Sequence, residues 1–108
     1  MYQIYFYVPK ESVESVKEAM FQAGAGRVGN YSHCSWQSLG EGQFKPEPGA
    51  TPVIGALEKL ERLAEYRVEM VCQEKHVKEV LQALLDSHPY EEVAYGVVKI
   101  MTIEDFEK

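Results

Sequence analysis

The chain repeats its own hydrophobic pattern at an offset of 64 residues, which brings residue 2 onto residue 66. Segments 2–8 and 66–72 then coincide, and both have the period near two of a β-strand. A stripe of period near 3.6, which predicts a helix, follows each strand. Its members are Val13, Val16, Ala19, Met20 and Ala23 in the first copy, and Val77, Val80, Leu81, Leu84 and Leu85 in the second. This duplication limits the number of folds the chain can adopt.

A second strand follows each predicted helix, at 31–36 in the first copy and 93–100 in the second. The element order is therefore β-α-β twice, and it predicts an α+β, ferredoxin-like βαββαβ fold. In that fold two helices cover one face of a four-stranded antiparallel sheet. We expect one domain over 1–108, with β-α-β units at 1–38 and 66–101 and a polar tail at 102–108. The connection 39–65 is a long loop or a short bulged hairpin, and within it 57–64 suits either a short helix or an extended lead-in.

Charge and apolar content exclude two classes of partner. A net charge of −6 argues against nucleic acid, which usually requires a basic face. No apolar run approaches the roughly 20 residues that span a bilayer, and the strand-like start does not resemble a signal peptide. Cys34 and Cys72 are far apart in sequence and form no metal-binding pair, so we expect reduced thiols and a cytoplasmic location.

The sequence contains no catalytic motif that we can assign. Glycines at 24, 26 and 29 resemble a dinucleotide-binding loop, but they follow a helix and precede a strand, which is the reverse of the order that motif requires. They are better explained as a helix end and a turn. No catalytic residue and no required cofactor is predicted.

The three histidines suggest at most a weak metal site. His33 and Cys34 are adjacent in the predicted second strand, so they would point to opposite faces. His88 follows the second helix, where a positive imidazole would gain from the helix dipole. His33 and His88 should lie at opposite edges and opposite ends of one chain. A divalent metal site with these two histidines as candidate ligands could therefore form only between subunits.

The segment from His88 to Tyr95 is unusually rich in polar and aromatic groups for the end of a helix. Glu91 and Glu92 are neighbours that diverge in an extended chain, so they form a poor carboxylate pair. Tyr90 and Tyr95 suit an interface, with buried rings and wet hydroxyl groups. Arg27 and Lys45 are candidates for an anion, although both also suit solvated loops.

Three stretches resemble the middle module of the NGG-interacting-factor (YqfO-type, dinuclear metal centre) family. They are the stretch from Gly24 to Trp36, the motif Gly-Gln-Phe-Lys-Pro at 42–46 and the segment from His88 to Tyr95. The resemblance implies a PII/CutA-like module, of the kind that forms trimers by pairing edge strands. In the full-length family proteins, two outer halves supply the ligands for a pair of metal ions. These 108 residues contain neither half.

The resemblance and the edge strands together favour a free-standing, homo-oligomeric binding or regulatory module without enzymatic activity. We favour a trimer, with a dimer as the alternative, and a small molecule or anion as the ligand. The competing hypothesis is a metal-binding protein or hydrolase-type enzyme whose site forms between subunits. The candidate ligand or interface residues are Arg27, Asn30, Tyr31, His33, Cys34, Phe44, His88, Tyr90, Glu91, Glu92 and Tyr95.

Overall fold

The strands and helices of this computed structural model, which describes residues 1–107, form the predicted α+β sandwich. The strands are β1 (Tyr2–Pro9), β2 (Trp36–Phe44), β3 (Glu61–Cys72) and β4 (Tyr95–Lys99), and the helices are α1 (Val13–Gln22) and α2 (Val77–Ser87). The sheet order is β2-β3-β1-β4, and every neighbouring pair is antiparallel. This confirms the ferredoxin-like class, and β2 and β4 form the two edges as expected.

Strand alternation places the core on one face of the sheet. Ile4, Phe6 and Val8 of β1 are fully buried, and the next-strand partners of Phe6 and Ile4 are the buried Val68 and Met70. The helices complete this core with the two apolar stripes of the repeat, including the fully buried Val16, Met20, Val80 and Leu84. Both helices therefore cover this face. The opposite face carries Gln3, Tyr5 and Tyr7 of β1, and we refer to it as the open face.

The prediction of a strand over 31–36 is wrong except at Trp36. Tyr31 bridges back to Val28 in a turn, and His33 has a φ of 59°, which is incompatible with a strand. The backbone of this segment is satisfied by turn contacts, since the Cys34 N–H donates to the Gly26 carbonyl at 2.9 Å. His33 and Cys34 therefore do not alternate across a strand.

The region 39–65 forms a long regular hairpin around a loop. Leu39–Phe44 continues β2, and its partners run from Tyr66 back to Glu61. The loop is reduced to 45–60, and residues 57–60 form no helix, so the extended alternative is confirmed from Glu61 onward. The glycines of this region led us to expect a loop. Gly40 and Gly42 instead lie within β2, paired with β3, and face the open side of the sheet. The hairpin makes the molecule 55 Å long and 23 Å across.

Gly96 is required by its neighbour on the adjacent strand. It lies opposite Tyr5 on the open face, and a β-carbon there would overlap the Tyr5 ring. We expect Gly96→Val to lower the free energy of unfolding by about 1–3 kcal/mol, because the ring must leave its place over β4. Gly40→Val is the matched control, since a β-carbon at Gly40 meets no atom within 4 Å. Urea unfolding of both variants would measure the difference, and equal stabilities would contradict this role for Gly96.

The tail ends in a 3-10 turn over Ile103–Phe106, capped by Thr102 and Asp105. The segment 102–108 is predicted to be polar, yet Ile103 and Phe106 are exposed apolar side chains. Lys108 lies outside the described residues. Over residues 1–107, no helix is both long and apolar enough to cross a bilayer.

Candidate functional site

A cleft of about 610 Å³ lies on the open face, between the β2–β3 hairpin, the loop 45–60 and the segment that leads into β4. Its floor is formed by strand residues whose side chains point away from the helices. They are Tyr7 of β1, Ser38, Gly40 and Gly42 of β2, and Glu65 and Arg67 of β3. Glycine in a strand allows a close approach to the backbone. The floor at Gly40 therefore has room for a bound molecule.

Arg67 is held in place by its neighbours on the floor. Its Nη1 donates to the Tyr7 hydroxyl at 2.6 Å, and its Nε donates to the Glu69 carboxylate at 3.2 Å. Its guanidinium group also lies 4.5 Å from the centre of the Tyr5 ring. Glu69 and Tyr7 raise the pKa of Arg67 above its ordinary value. The positive charge is thus already paired before any ligand enters.

Glu65 lies beside Arg67 on the floor but has a different partner. Its carboxylate accepts a hydrogen bond from the Tyr90 hydroxyl at 2.9 Å. The ion pairs of residues 1–107 do not include Glu65. The chain makes room for this carboxylate at Gly42, where a β-carbon would overlap it. Burial and the Glu65 charge raise the pKa of Tyr90, so the phenol remains protonated and continues to donate.

Aromatic and apolar side chains form the wall and roof of the cleft. The rings of Phe44 and Tyr90 lie 5.9 Å apart at a tilted angle. Val53 and Ile54 of the loop 45–60 lie above the floor. The pairing of an apolar wall with a few polar groups is typical of small-molecule sites.

A single carboxylate ties the roof to the body of the protein. The Glu91 side chain accepts hydrogen bonds from the Thr51 amide at 2.8 Å and from the Thr51 hydroxyl at 2.7 Å. These bonds lower the pKa of Glu91, because they stabilise its ionised form. Glu92 also lines the cleft. Both oxygens of Glu91 accept from Thr51, so Glu91 is engaged in holding the loop rather than paired with Glu92.

His88 is buried beneath this site rather than exposed in it. Its side chain is 6% exposed, and its Nε2 lies 2.8 Å from the Tyr7 carbonyl, to which it donates. Its Nδ1 accepts from the Tyr90 amide at 3.1 Å. The ring thus links the end of β1 to the segment that carries Tyr90, and so positions one wall of the cleft.

The neutral state of His88 differs from the sequence-based interpretation. Burial lowers the pKa of His88 despite the opposing effects of the Tyr7 carbonyl and Glu65, so the helix dipole does not hold a positive ring there. With both ring nitrogens hydrogen-bonded inside the chain, neither has a lone pair free for a metal ion. Within residues 1–107, no group of three or more His, Cys, Asp and Glu side chains is placed to hold a metal ion.

The remaining candidate residues lie away from the cleft, either at the opposite end of the molecule or on the β4 edge. His33 contacts Phe21 and Glu18 of α1, with 3.4 Å between its Nε2 and the Glu18 carboxylate. Cys34, Asn30 and Tyr31 lie in the same turn region, and Arg27 lines a smaller depression beside Met1. Lys45 lies at the cleft, so Arg27 and Lys45 do not form a joint anion site. Tyr95 is half exposed on β4.

Comparison with known proteins identifies relatives of this chain. It is 48% identical over 95 residues to the GTP cyclohydrolase 1 type 2 homolog of Mycobacterium leprae, covering 88% of the chain and 25% of that protein. The crystal structure of a Bacillus cereus protein related to NIF3 matches 89% of the chain and 24% of that protein, with 40% identity and a TM-score of 0.76. The chain is homologous to one segment of the NIF3-related proteins. It spans about a quarter of the length of the curated relatives it matches. No family model matches it.

A second group of solved structures shares the fold alone. The periplasmic divalent cation tolerance protein CutA from Archaeoglobus fulgidus is 17% identical, with a TM-score of 0.69 over 98% of the chain and 91% of that protein. This confirms the CutA-like architecture.

Sequence reasoning found one wall of the cleft but missed its floor. Phe44, Tyr90, Glu91 and Glu92 are the predicted residues that the structure brings together. The sequence did not indicate the other residues of the cleft that matter here, which are Tyr7, Glu65, Arg67 and Thr51. Glu65, Arg67 and Glu69 alternate with apolar residues along β3, and this alternation is the signal that they share one face.

Proposed function

We propose that these residues form a self-assembling, non-enzymatic binding or regulatory module that takes up a small molecule in the cleft. The observation that carries the proposal is the combination of a preformed cleft with two uncovered, apolar sheet edges. The cleft resembles a ligand site in size and in the mixture of groups that line it. The edges require partners, because unpaired strands readily pair with another chain.

Both edges expose large apolar side chains. On β2, Trp36 is 62% exposed and Leu39 is also exposed, while on β4 the exposed residues include Tyr95, Val97 and Val98. Exposed apolar surface that continues along a strand is typical of an interaction site. Pairing β4 of one copy with β2 of the next would cover both edges at once.

The pairing of two different edges supports a ring rather than a two-fold dimer. A contact between unlike surfaces is heterologous, and repeated copies close into a ring when the rotation permits it. A trimer is the assembly we favour, as the resemblance to PII and CutA proteins also implies. A dimer would leave either both β2 edges or both β4 edges uncovered. Cys34 and Cys72 are free thiols, which suits a reducing compartment such as the cytoplasm.

The alternative is a metal-binding or hydrolase-type site between subunits, which the names of the relatives suggest. Of the two candidate ligands, His33 would then be the available imidazole, because His88 is fully engaged within its own chain. Zinc uptake by the assembled protein that disappears in His33→Ala would favour this alternative. Melting of a His88→Ala variant would be uninformative, since that ring has a structural role whether or not metal binds.

The first test of the proposal is the mass in solution. Light scattering at micromolar concentration should give a multiple of the 12.3 kDa chain mass, and three times that mass is the value we expect. A mass equal to one chain would contradict self-assembly. Failure to bind any small molecule would contradict the other half of the proposal without affecting the mass.

A further inference from the structure

We propose that the cleft is selective for a small organic amine, held by Glu65 through its ammonium group and by Phe44 and Tyr90 through its apolar body. The inference rests on the proposed function, since it names the class of molecule that the cleft would bind. It depends on the charge state of the floor rather than on the shape of the cleft alone.

Glu65 is the group on the floor that lacks a counter-charge. It lies half-buried in a cleft with apolar walls, and its observed side-chain partner is the Tyr90 hydroxyl, a neutral donor. A carboxylate away from water is costly unless it is paired with a cation. The nearby guanidinium group of Arg67 does not supply that pairing, because it is oriented toward Glu69 and Tyr7 and forms its ion pair with Glu69 rather than with Glu65. An ammonium group beside Glu65 would therefore lower the free energy of the site.

The surroundings of Glu65 favour a cation over an anion. Four glutamates, Glu47, Glu65, Glu91 and Glu92, line the cleft against two cations, Lys45 and Arg67. The Glu41 side chain alternates to the other face of β2, where it pairs with Arg62 at 3.9 Å. Negative charge in a partly enclosed site attracts a cationic ligand and repels its anionic analogue. The tilted pair of Phe44 and Tyr90 adds aromatic faces, which stabilise a cation by a further electrostatic interaction.

The geometry leaves space for such a molecule directly on the floor. Gly40 and Gly42 are neighbours on the open face of β2, with the Glu65 carboxylate over Gly42 and no atom within 4 Å of a β-carbon placed at Gly40. The ammonium group would thus lie near Gly42, and the apolar body would extend over Gly40 toward Ile54. A cleft of about 610 Å³ is within the range of small-molecule sites.

Three probes of similar size and different charge test the inference. They are 2-phenylethylammonium, the neutral 2-phenylethanol and the anionic 3-phenylpropionate. Amide chemical shifts in a nitrogen–proton NMR titration would report both the affinity and the location of binding. We expect the ammonium probe to bind at least about tenfold more tightly than the other two, a difference of about 1.4 kcal/mol. The largest shifts should occur at Gly40, Gly42 and Tyr90.

Variants of the chain separate the contribution of Glu65 from general electrostatics. Glu65→Gln keeps an acceptor for Tyr90 and should remove the tenfold preference. Glu79→Gln removes one charge from the exposed surface of α2 and should leave the preference intact. Gly40→Val should block all three probes, because its side chain occupies the floor without displacing another atom.

Several results would overturn the inference. Tighter binding of 3-phenylpropionate would show that Arg67, not Glu65, anchors the ligand. Equal binding of the three probes would show that the cleft selects only for apolar groups. An equal loss of the ammonium preference in Glu79→Gln and Glu65→Gln would show that the effect comes from the net charge of the protein. None of these results would alter the mass of the assembly, so the inference can fail while the self-assembly part of the proposed function stands.

Discussion

Replacing His88 with alanine should destabilise the protein by about 3 kcal/mol. The change leaves the Tyr7 carbonyl and the Tyr90 amide without their partners, and each buried unsatisfied group costs about 1–3 kcal/mol. The lost ring volume adds a cavity beside the core. For a domain of this size we expect the melting temperature to fall by about 15 °C. Urea and thermal unfolding at one fixed protein concentration would measure the loss, because assembly makes stability depend on concentration.

His33→Ala is the matched control for this prediction. That ring is about half exposed and its contact with Glu18 lies on the surface, although it also packs against Phe21 at a positive φ. The stability should therefore change by no more than about 1 kcal/mol, well below the loss in His88→Ala. Similar losses in the two variants would show that His88 does not have the structural role assigned to it.

Acidification should reduce the difference between wild type and His88→Ala. Burial lowers the pKa of His88 in the folded state below the ordinary 6.5. Between these two pKa values the unfolded chain binds a proton that the native chain does not, so the wild type loses stability as the pH falls below about 6.5. The loss is at most about 1.4 kcal/mol per pH unit and is absent above that range. A constant difference from pH 7.5 to pH 5 would contradict a buried neutral ring.

The fold was predictable because its signal is repeated along the chain. Strand alternation and the helical stripes identify the core directly, and Ile4, Phe6, Val80 and Leu84 are buried as the pattern requires. The second strand was misplaced because propensity alone governs such a short segment. Gly40 and Gly42 suggested a loop, whereas their absent side chains make room on the open face for Glu65 and for the cleft.

The site was harder to predict because it depends on register between distant strands. The pairing of β2 with β3 places Gly40 opposite Glu65 and Ser38 opposite Arg67, and no local pattern encodes that alignment. The His88 to Tyr95 segment was recognised from its composition. The role of this segment can be assigned only from its tertiary contacts. The fold shows that the His88 ring faces the end of β1 and that Glu91 bonds to Thr51.

Replacing Val97 with proline should convert the assembly into single 12.3 kDa chains while leaving the fold intact. The Tyr7 amide donates to the Ala94 carbonyl and the Ile100 amide donates to the Met1 carbonyl, so even-numbered residues of this segment bond inward to β1. By the alternation of an antiparallel ladder, the backbone groups of Val97 point outward from the edge. Proline removes that outward donor and blocks a neighbouring strand, but costs no bond to β1.

Val97→Ala separates this backbone effect from loss of the side chain. It shortens a partly exposed apolar group but keeps the amide, so the assembly should survive at micromolar concentration with weaker affinity. Light scattering would give the masses, and far-ultraviolet circular dichroism would show that both variants remain folded. An unchanged mass in Val97→Pro would exclude the β4 edge as the contact and direct attention to the open face around Trp36. Dissociation of both variants to single chains would instead show that side-chain burial, rather than strand pairing, holds the subunits together.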